Sequence, residues 1–178
     1  IDENGRFTDL DDRIITTLVK LYPWEWIMLE DFGQYVPESR AQFIEPPWKT
    51  ILSNKGLLAL LWGMFEGHPN LLPAFFEDDP ASIDFANFGT FVRKPMLSRQ
   101  GANIQIVEDG QTIFESDGPY GTETCILQEF QPLPNIKDRY PLLGCWMVAS
   151  KAVGLCIRED QNLVTGKEAN FVPHVILG

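Results

Sequence analysis

Alternating apolar and polar residues in the second half of the chain constrain its fold most strongly. Residues 103–107 alternate at period two, residues 108–111 are typical of a turn, and residues 112–115 continue the alternation. Successive side chains of a strand point to opposite faces, so this pattern predicts an antiparallel hairpin. Further strands are predicted at residues 89–95, 124–130, 142–149 and 154–158.

Two segments before Pro80 favour helices. Residues 13–28 carry apolar side chains at roughly helical spacing, although Pro23 interrupts the pattern. A second helix is predicted at residues 55–65, after the common N-cap residues Ser53 and Asn54, and its apolar side chains predict that it is buried. Helices followed by hairpins indicate an α+β fold with an antiparallel sheet.

Composition narrows the classes of protein. The 178 residues suffice for one compact domain or two small lobes, and the net charge of −11 argues against nucleic-acid binding, which needs a basic face. No apolar run reaches the roughly 18 residues of a membrane span. Three cysteines without a C-x-x-C pair are typical of reduced, mostly buried thiols in a cytoplasmic protein. The chain opens with Ile1 rather than Met, so we expect a piece of a longer protein.

A stretch without acidic residues is the most informative feature for function. Asp and Glu number 25, yet none occurs between Phe85 and Val107, where Arg93, Lys94 and Arg99 lie. A cationic island on an acidic chain is suited to an anionic ligand, and the glycine-containing loop at residues 98–103 could bring backbone N–H groups close to phosphate oxygens. A solvated hairpin that lacks acids is an equally good interpretation of the residues alone.

Three other positions could carry chemistry. Lys55 begins the second helix, where the macrodipole disfavours a cation unless an anion is present, although the side chain could simply reach solvent. Arg158 ends a strand and could bind an anion or pair with Glu159 or Asp160. Glu25, between two tryptophans, could bind an amine or a peptide, although tryptophan more often packs in a core. P-loop and dinucleotide-binding glycine motifs are not found in the sequence.

Four segments, in the same order, resemble the synthetase portion of the glutathionylspermidine synthase family. They are residues 20–26, 43–55, 91–103 and 155–160. The details of residues 45–48 and 67–73 look closer to the stand-alone synthase-like members of the family.

This resemblance implies the C-terminal part of an ATP-grasp enzyme. Residues 1–52 would form a helical and looped shoulder, residues 53–127 a lid lobe and residues 128–178 a sheet lobe. The implied reaction is ATP-dependent joining of a carboxylate, such as glutathione or another peptide, to an amine such as spermidine, through an acyl phosphate. The alternative is a nucleotide-binding or interaction module without catalysis.

The resemblance also implies roles for individual residues. Arg99 and Arg158 would act on the transferring phosphoryl group, and Glu25 would touch the peptide substrate. The implied nucleotide contacts are Lys55 and Lys94, Gln100 and Gly101 in the phosphate-covering loop, Gln128, Glu129, Phe130 and Gln131 beside the adenine, and Leu163, Val164 and Thr165. Ligands for Mg²⁺ are expected N-terminal to the matched region, so the chain alone is expected to be inactive. One departure is Leu142, which stands where a family member has glutamine near the nucleotide.

The glycine loop is expected to behave as a lid. Gly101 and Ala102 offer little side-chain anchoring, and three neighbouring cations repel one another when no anion is bound. We therefore expect residues 97–103 to be loosely held without nucleotide and to close over the phosphates of ATP. A rigid hairpin turn is the alternative.

Overall fold

A computed structural model, which describes residues 1–87 and 89–176, confirms an α+β fold of short helices and mainly antiparallel sheet. The chain forms two compact units, Ile1–Asn54 and Lys55–Gly178. The sequence-based division into residues 1–52, 53–127 and 128–178 stays a prediction, and residues 177 and 178 of its third part lie outside the described residues.

The first unit is built from short elements. A parallel strand pair joins β1 to β2, with Leu18 opposite Phe43, and Trp24 and Ile27 are its buried hydrophobic residues. The elements are β1 (Thr17–Val19), α1 (Trp24–Ile27), β2 (Gln42–Ile44) and α2 (Thr50–Ser53), with 3₁₀ turns at Asp31–Tyr35 and Pro47–Lys49.

The helix predicted over residues 13–28 is wrong for most of its length. Only α1 is helical, and β1 occupies the middle of the segment. Ile14, Ile15 and Val19 are β-branched and fit an extended backbone. Pairing with β2, more than twenty residues away, decides the outcome and leaves no signal in the local spacing.

The second unit contains the predicted hairpins. Its larger sheet has the order β3-β7-β4-β5-β6 with every pair antiparallel, and its smaller sheet has the order β10-β9-β8. The elements are α3 (Gly56–Met64), β3 (Ala74–Phe76), α4 (Ala81–Asn87), β4 (Phe91–Pro95), β5 (Gln105–Glu108), β6 (Gln111–Glu115), β7 (Cys125–Glu129), β8 (Tyr140–Val148), β9 (Lys151–Asp160) and β10 (Asn170–Val172).

Two apolar clusters cover one face of the five-stranded sheet. The first joins Ala59 of α3 to Ala74 and Ile126, and the second joins Val92 to Ile104 and Ile106. The register pairs Ile106 with Val92 and Val92 with Gln128, so these strand residues share a face. The opposite face carries the aromatic stack of Phe75, Phe85 and Phe91.

The position of α3 is confirmed, but two expectations about it are wrong. Its N-cap is Lys55 and makes no side-chain capping bond; the Lys55 N–H instead donates to the Met96 carbonyl at 2.8 Å. Only the side that carries Gly56 and Ala59 packs closely, while Leu60 and Met64 are 55% and 70% exposed.

The smaller sheet exposes large apolar side chains on both faces. Leu143 and Trp146 of β8 point to opposite faces and are 62% and 65% exposed. Cys145 is exposed as well, so the expectation of mostly buried cysteines fails for it. Across residues 1–87 and 89–176, none of the helices has the length and apolar character needed to cross a bilayer.

Candidate functional site

A partly buried lysine on the five-stranded sheet is the centre of the candidate site. Lys94 of β4 donates from Nζ to Oε1 of Gln128 on the neighbouring strand β7, at 2.6 Å. Burial, and then the nearby positive charge of Lys55, lower the pKa of Lys94 from its usual 10.5 to about 8. The positive charge of Lys55 thus destabilises the charged form of Lys94, and a bound anion would offset this effect.

Lys55 reaches this place from the start of α3. Its Nζ donates to the Ser98 carbonyl oxygen and, at 3.1 Å, to Ser98 Oγ. Ser98 is itself only 5% exposed. These bonds, together with that from the Lys55 N–H to Met96, tie the start of the helix to the segment following β4.

One member of the cationic island is already neutralised. Arg93 forms a two-pronged ion pair with Glu77, in which Arg93 Nη2 lies 3.0 Å from Glu77 Oε2. Arg93 points to the sheet face opposite Lys94, because neighbouring residues of a strand alternate. The expectation that Arg93 repels the other cations of the site is therefore wrong.

The loop at residues 97–103 is better anchored than its small residues suggested. Ser116 donates to the Gly101 carbonyl at 2.5 Å, and Asn103 Oδ1 accepts from the Tyr120 N–H at 2.8 Å. Glu123 accepts from the Leu97 N–H at 3.1 Å. The premise that few contacts hold this loop is wrong, because its anchors come from residues 116–123, which sequence spacing could not connect to it.

Gly101 brings the loop against the turn that carries Leu163, Val164 and Thr165. Its φ is +73°, and a Cβ at this position would stand 2.9 Å from the Thr165 carbonyl oxygen. Leu163 and Val164 pack against the second apolar cluster, as does Phe130. The predicted nucleotide contacts in the glycine loop, at Phe130 and at residues 163–165 therefore lie together beside β4 and β5. Gln100, the neighbour of Gly101 in the loop, is exposed and has a φ of +54°.

The segment predicted to lie beside adenine is partly engaged within the protein. The N–H groups of Glu129 and Phe130 donate to the carbonyls of Pro73 and Thr90, at 2.9 and 3.1 Å. Gln128 is buried and uses its side chain to bind Lys94, whereas sequence reasoning expected mainly backbone groups from this segment. Gln131 follows them and is exposed.

Arg158 lies on the smaller sheet. Its Nη2 donates to the Gly166 carbonyl at 2.8 Å, its guanidinium lies 5.7 Å from the Phe171 ring centre, and its buried Nε has no hydrogen-bond acceptor. Leu142 is its cross-strand neighbour on β8. Arg158 is thus linked through Gly166 to the turn that contacts Gly101, and a buried donor without an acceptor is suited to an anion.

Two predicted residues, Arg99 and Glu25, remain to be located. Arg99 is half-buried within the loop. Glu25 is half-buried in α1 of the first unit, where Lys20 Nζ lies 5.5 Å from the Trp24 ring centre. Within residues 1–87 and 89–176, no three or more histidine, cysteine, aspartate or glutamate side chains form a group that could hold a metal ion.

Sequence reasoning missed Ser98 as a partner of Lys55 and the Gln128 side chain as a partner of Lys94. Val92 and Lys94 share one face of β4 by strand alternation, so the correct pairing of β4 with β7 would have placed Gln128 on that face. No comparable local signal identifies Ser98.

The known proteins that this chain resembles are named as ligases or synthetases. The chain is 39% identical over 178 residues to a protein of Haemophilus influenzae assigned provisionally as an acid–amine ligase, covering 97% of this chain and 44% of that protein. It is 33% identical over 132 residues to trypanothione synthetase of Crithidia fasciculata, covering 72% of this chain and 19% of that enzyme. The identity is 28% over 200 residues to the bifunctional glutathionylspermidine synthetase/amidase of Escherichia coli K12, covering 99% and 32%.

The family itself follows from a match over nearly the whole chain. The profile described as glutathionylspermidine synthase preATP-grasp matches residues 1–177. The chain belongs to the glutathionylspermidine synthase family, as its motifs predicted. It spans less than half the length of each of these relatives.

Proposed function

We propose that this chain is part of an ATP-dependent ligase that joins a carboxylate to an amine. The observation that carries the proposal is Lys94, a partly buried ammonium group whose pKa is lowered to about 8 by burial and by the positive charge of Lys55. A lysine whose charged form is destabilised in this way gains stability when phosphate oxygens bind it. The relatives named as ligases and synthetases support the same class of reaction.

In the proposed reaction, Lys94 and Lys55 bind the phosphates of ATP and Gln128 keeps the Lys94 ammonium oriented. Transfer of the γ-phosphoryl group to the substrate carboxylate gives an acyl phosphate, and the amine then displaces phosphate to form the amide. Charge spreads over the phosphoryl oxygens during transfer, so fixed cations lower the barrier. Arg99 and Arg158 are assigned to this task, and the loop of Gln100 and Gly101 excludes water from the acyl phosphate.

The adenine is proposed to lie near residues 128–131 and 163–165, where Phe130, Leu163 and Val164 offer apolar surface. Glu25 is proposed to touch the peptide substrate. Magnesium would be held by side chains outside residues 1–178. The carboxylate would be glutathione or another peptide, the amine would be spermidine or a similar compound, and a cytoplasmic location is proposed.

A nucleotide-binding module without catalysis is the second candidate. Leu142 favours it, because this apolar side chain neighbours Arg158 at the position where a family member has glutamine. In that case the lysines would bind ATP, but no carboxylate would receive phosphate.

Phosphate release by the intact protein separates the two candidates. The assay uses ATP, Mg²⁺, glutathione and a panel of amines. A ligase releases phosphate only when carboxylate and amine are both present, and Lys94→Ala and Arg158→Ala should each lower this rate at least about 100-fold, as loss of a cation at a transferring phosphoryl group does.

The exposed Lys151→Ala is the matched control and should leave the rate unchanged. Near-normal rates in both Lys94→Ala and Arg158→Ala would remove the proposed mechanism. ATP binding without release across the whole panel would support the module instead.

A further inference from the structure

The turn between β9 and β10 is organised by a carboxylate that has no assigned role. Asp160, the last residue of β9, accepts from the backbone N–H and the side-chain amide of Asn162 through Oδ1, at 3.0 and 3.2 Å. Its Oδ2 accepts from the Gly166 N–H at 2.9 Å. A single side chain therefore closes the turn at both ends.

Arg158 binds the same glycine, Gly166, through its carbonyl oxygen. Arg158 and Asp160 are two residues apart on β9, so both side chains lie on the same face of the strand. Asp160 accepts from the Gly166 N–H, and Arg158 donates to the Gly166 carbonyl at 2.8 Å. Both polar backbone groups of this glycine are bound by the two side chains, so a change at Asp160 is transmitted to Arg158.

The turn held in this way supports the glycine loop. Leu163 and Val164 pack on the cluster of Val92, Ile104 and Ile106, and the Thr165 carbonyl lies against Gly101. Only a residue without a side chain fits at 101, because a Cβ would stand 2.9 Å from that oxygen. The Thr165 carbonyl therefore limits where Gly101 can lie, in addition to the bonds from residues 116–123 that anchor the loop.

We propose that Asp160 is a positioning residue, which holds the turn at residues 161–166 so that Gly101 can lie against Thr165 and Arg158 stays oriented. The assignment rests on the proposed nucleotide site, because it concerns the loop and the arginine assigned to the phosphates. Burial raises the pKa of Asp160, but hydrogen bonds from the Gly166, Asn162 and Gln161 N–H groups outweigh this and hold the pKa below its usual value. The carboxylate is thus ionised and a strong acceptor at neutral pH.

The test compares Asp160→Asn and Asp160→Ala with Asp138→Asn in the intact protein. Asp138 lies in an exposed turn with a φ of +60°, which asparagine tolerates well, so the control makes the same chemical change elsewhere. Hydrogen exchange at the Gly166 amide should accelerate at least about tenfold in both Asp160 variants, because a charged acceptor is lost. The control should leave it unchanged.

Two further measurements distinguish positioning from a general contribution to stability. The ¹⁵N resonance of Arg158 should shift in Asp160→Asn, and ATP should bind about 5- to 20-fold more weakly, while the melting temperature of Asp160→Asn stays within about 3 °C of wild type. Such a loss corresponds to about 1–2 kcal/mol, the scale of a hydrogen bond to a charged group. Asp160→Asn keeps one acceptor oxygen and should fall between wild type and Asp160→Ala.

Different results would overturn the proposed function and the positioning role of Asp160. If the wild-type protein binds no ATP, the proposed function fails, and the role of Asp160 in a nucleotide site fails with it. If ATP binds but Asp160→Asn leaves Gly166 exchange, the Arg158 resonance or the ATP affinity unchanged, the positioning role alone is overturned.

Discussion

Raising the pH should weaken ATP binding through a single group, Lys94. The pKa of this lysine is about 8 in the free protein, and we expect bound phosphate to keep it protonated. The dissociation constant then grows by the factor 1 + 10^(pH − pKa), which gives a loss of ~10-fold, or ~1.4 kcal/mol, between pH 7 and pH 9. At pH 8 about half a proton should be taken up for each ATP bound.

Titration calorimetry in two buffers of different ionisation enthalpy measures both quantities. Lys94→Arg is the matched control, because its guanidinium stays protonated and its affinity should be nearly flat over the same range. Any contribution from titration of the nucleotide itself appears in both proteins. An affinity that is equal at pH 7 and pH 9 within a factor of two, with no proton uptake, would refute the reasoning.

The same group gives an independent check on stability without nucleotide. Because the folded pKa of Lys94 lies below its usual value of 10.5, the unfolded chain binds more protons between about pH 8 and pH 10.5. The free energy of unfolding should therefore rise with pH across this window, by up to about 3 kcal/mol in total. Lys94→Met should abolish this rise, as denaturant titration at several pH values would show.

Three further substitutions test the packing around the site. Gly101→Ala forces a side chain onto the Thr165 carbonyl at a φ of +73°, so it should cost about 1–3 kcal/mol and weaken ATP binding; a melting curve like that of wild type would contradict this. Ile106→Ala removes a fully buried side chain from the second cluster and should cost about 2–5 kcal/mol in urea titration, against no more than about 0.5 for the exposed Ile113→Ala. Glu77→Gln breaks an ion pair that is more than one-third exposed and should cost no more than about 1 kcal/mol, a value that falls with added salt; a larger or salt-independent loss would count against it.

The sequence correctly predicted the elements that are specified by neighbouring residues. The β5–β6 hairpin follows from alternation around a short turn with Asp109 and Gly110 at positive φ, and α3 follows from a run of good helix formers. The failure at residues 13–28 has the opposite origin, because β1 exists through pairing with β2. Local spacing cannot report a partner that lies elsewhere in the chain.

In the candidate site, too, residues with a local signal were predicted and their long-range partners were missed. Lys55, Lys94 and Gly101 were identified from charge, glycine content and a family resemblance, all of which a sequence displays. Their partners Ser98 and Gln128 were not, because each bond depends on strand register or on a long-range contact. The anchoring of the loop by Ser116 has the same cause, since the two residues that bond are 15 positions apart.

The apolar side chains exposed on both faces of the β8–β10 sheet also affect how this chain behaves in concentrated solution. β8 is an edge strand of nine residues without a charged side chain, and within the described residues no further strand pairs with its outer side. Such an edge can pair with a strand of another molecule. Electrostatic repulsion between molecules, each with a net charge of −11, opposes this association. Salt at about 0.1 M shortens the reach of that repulsion to about 10 Å. Ionic strength and protein concentration, more than the free energy of folding, will set how long a solution of the chain stays clear.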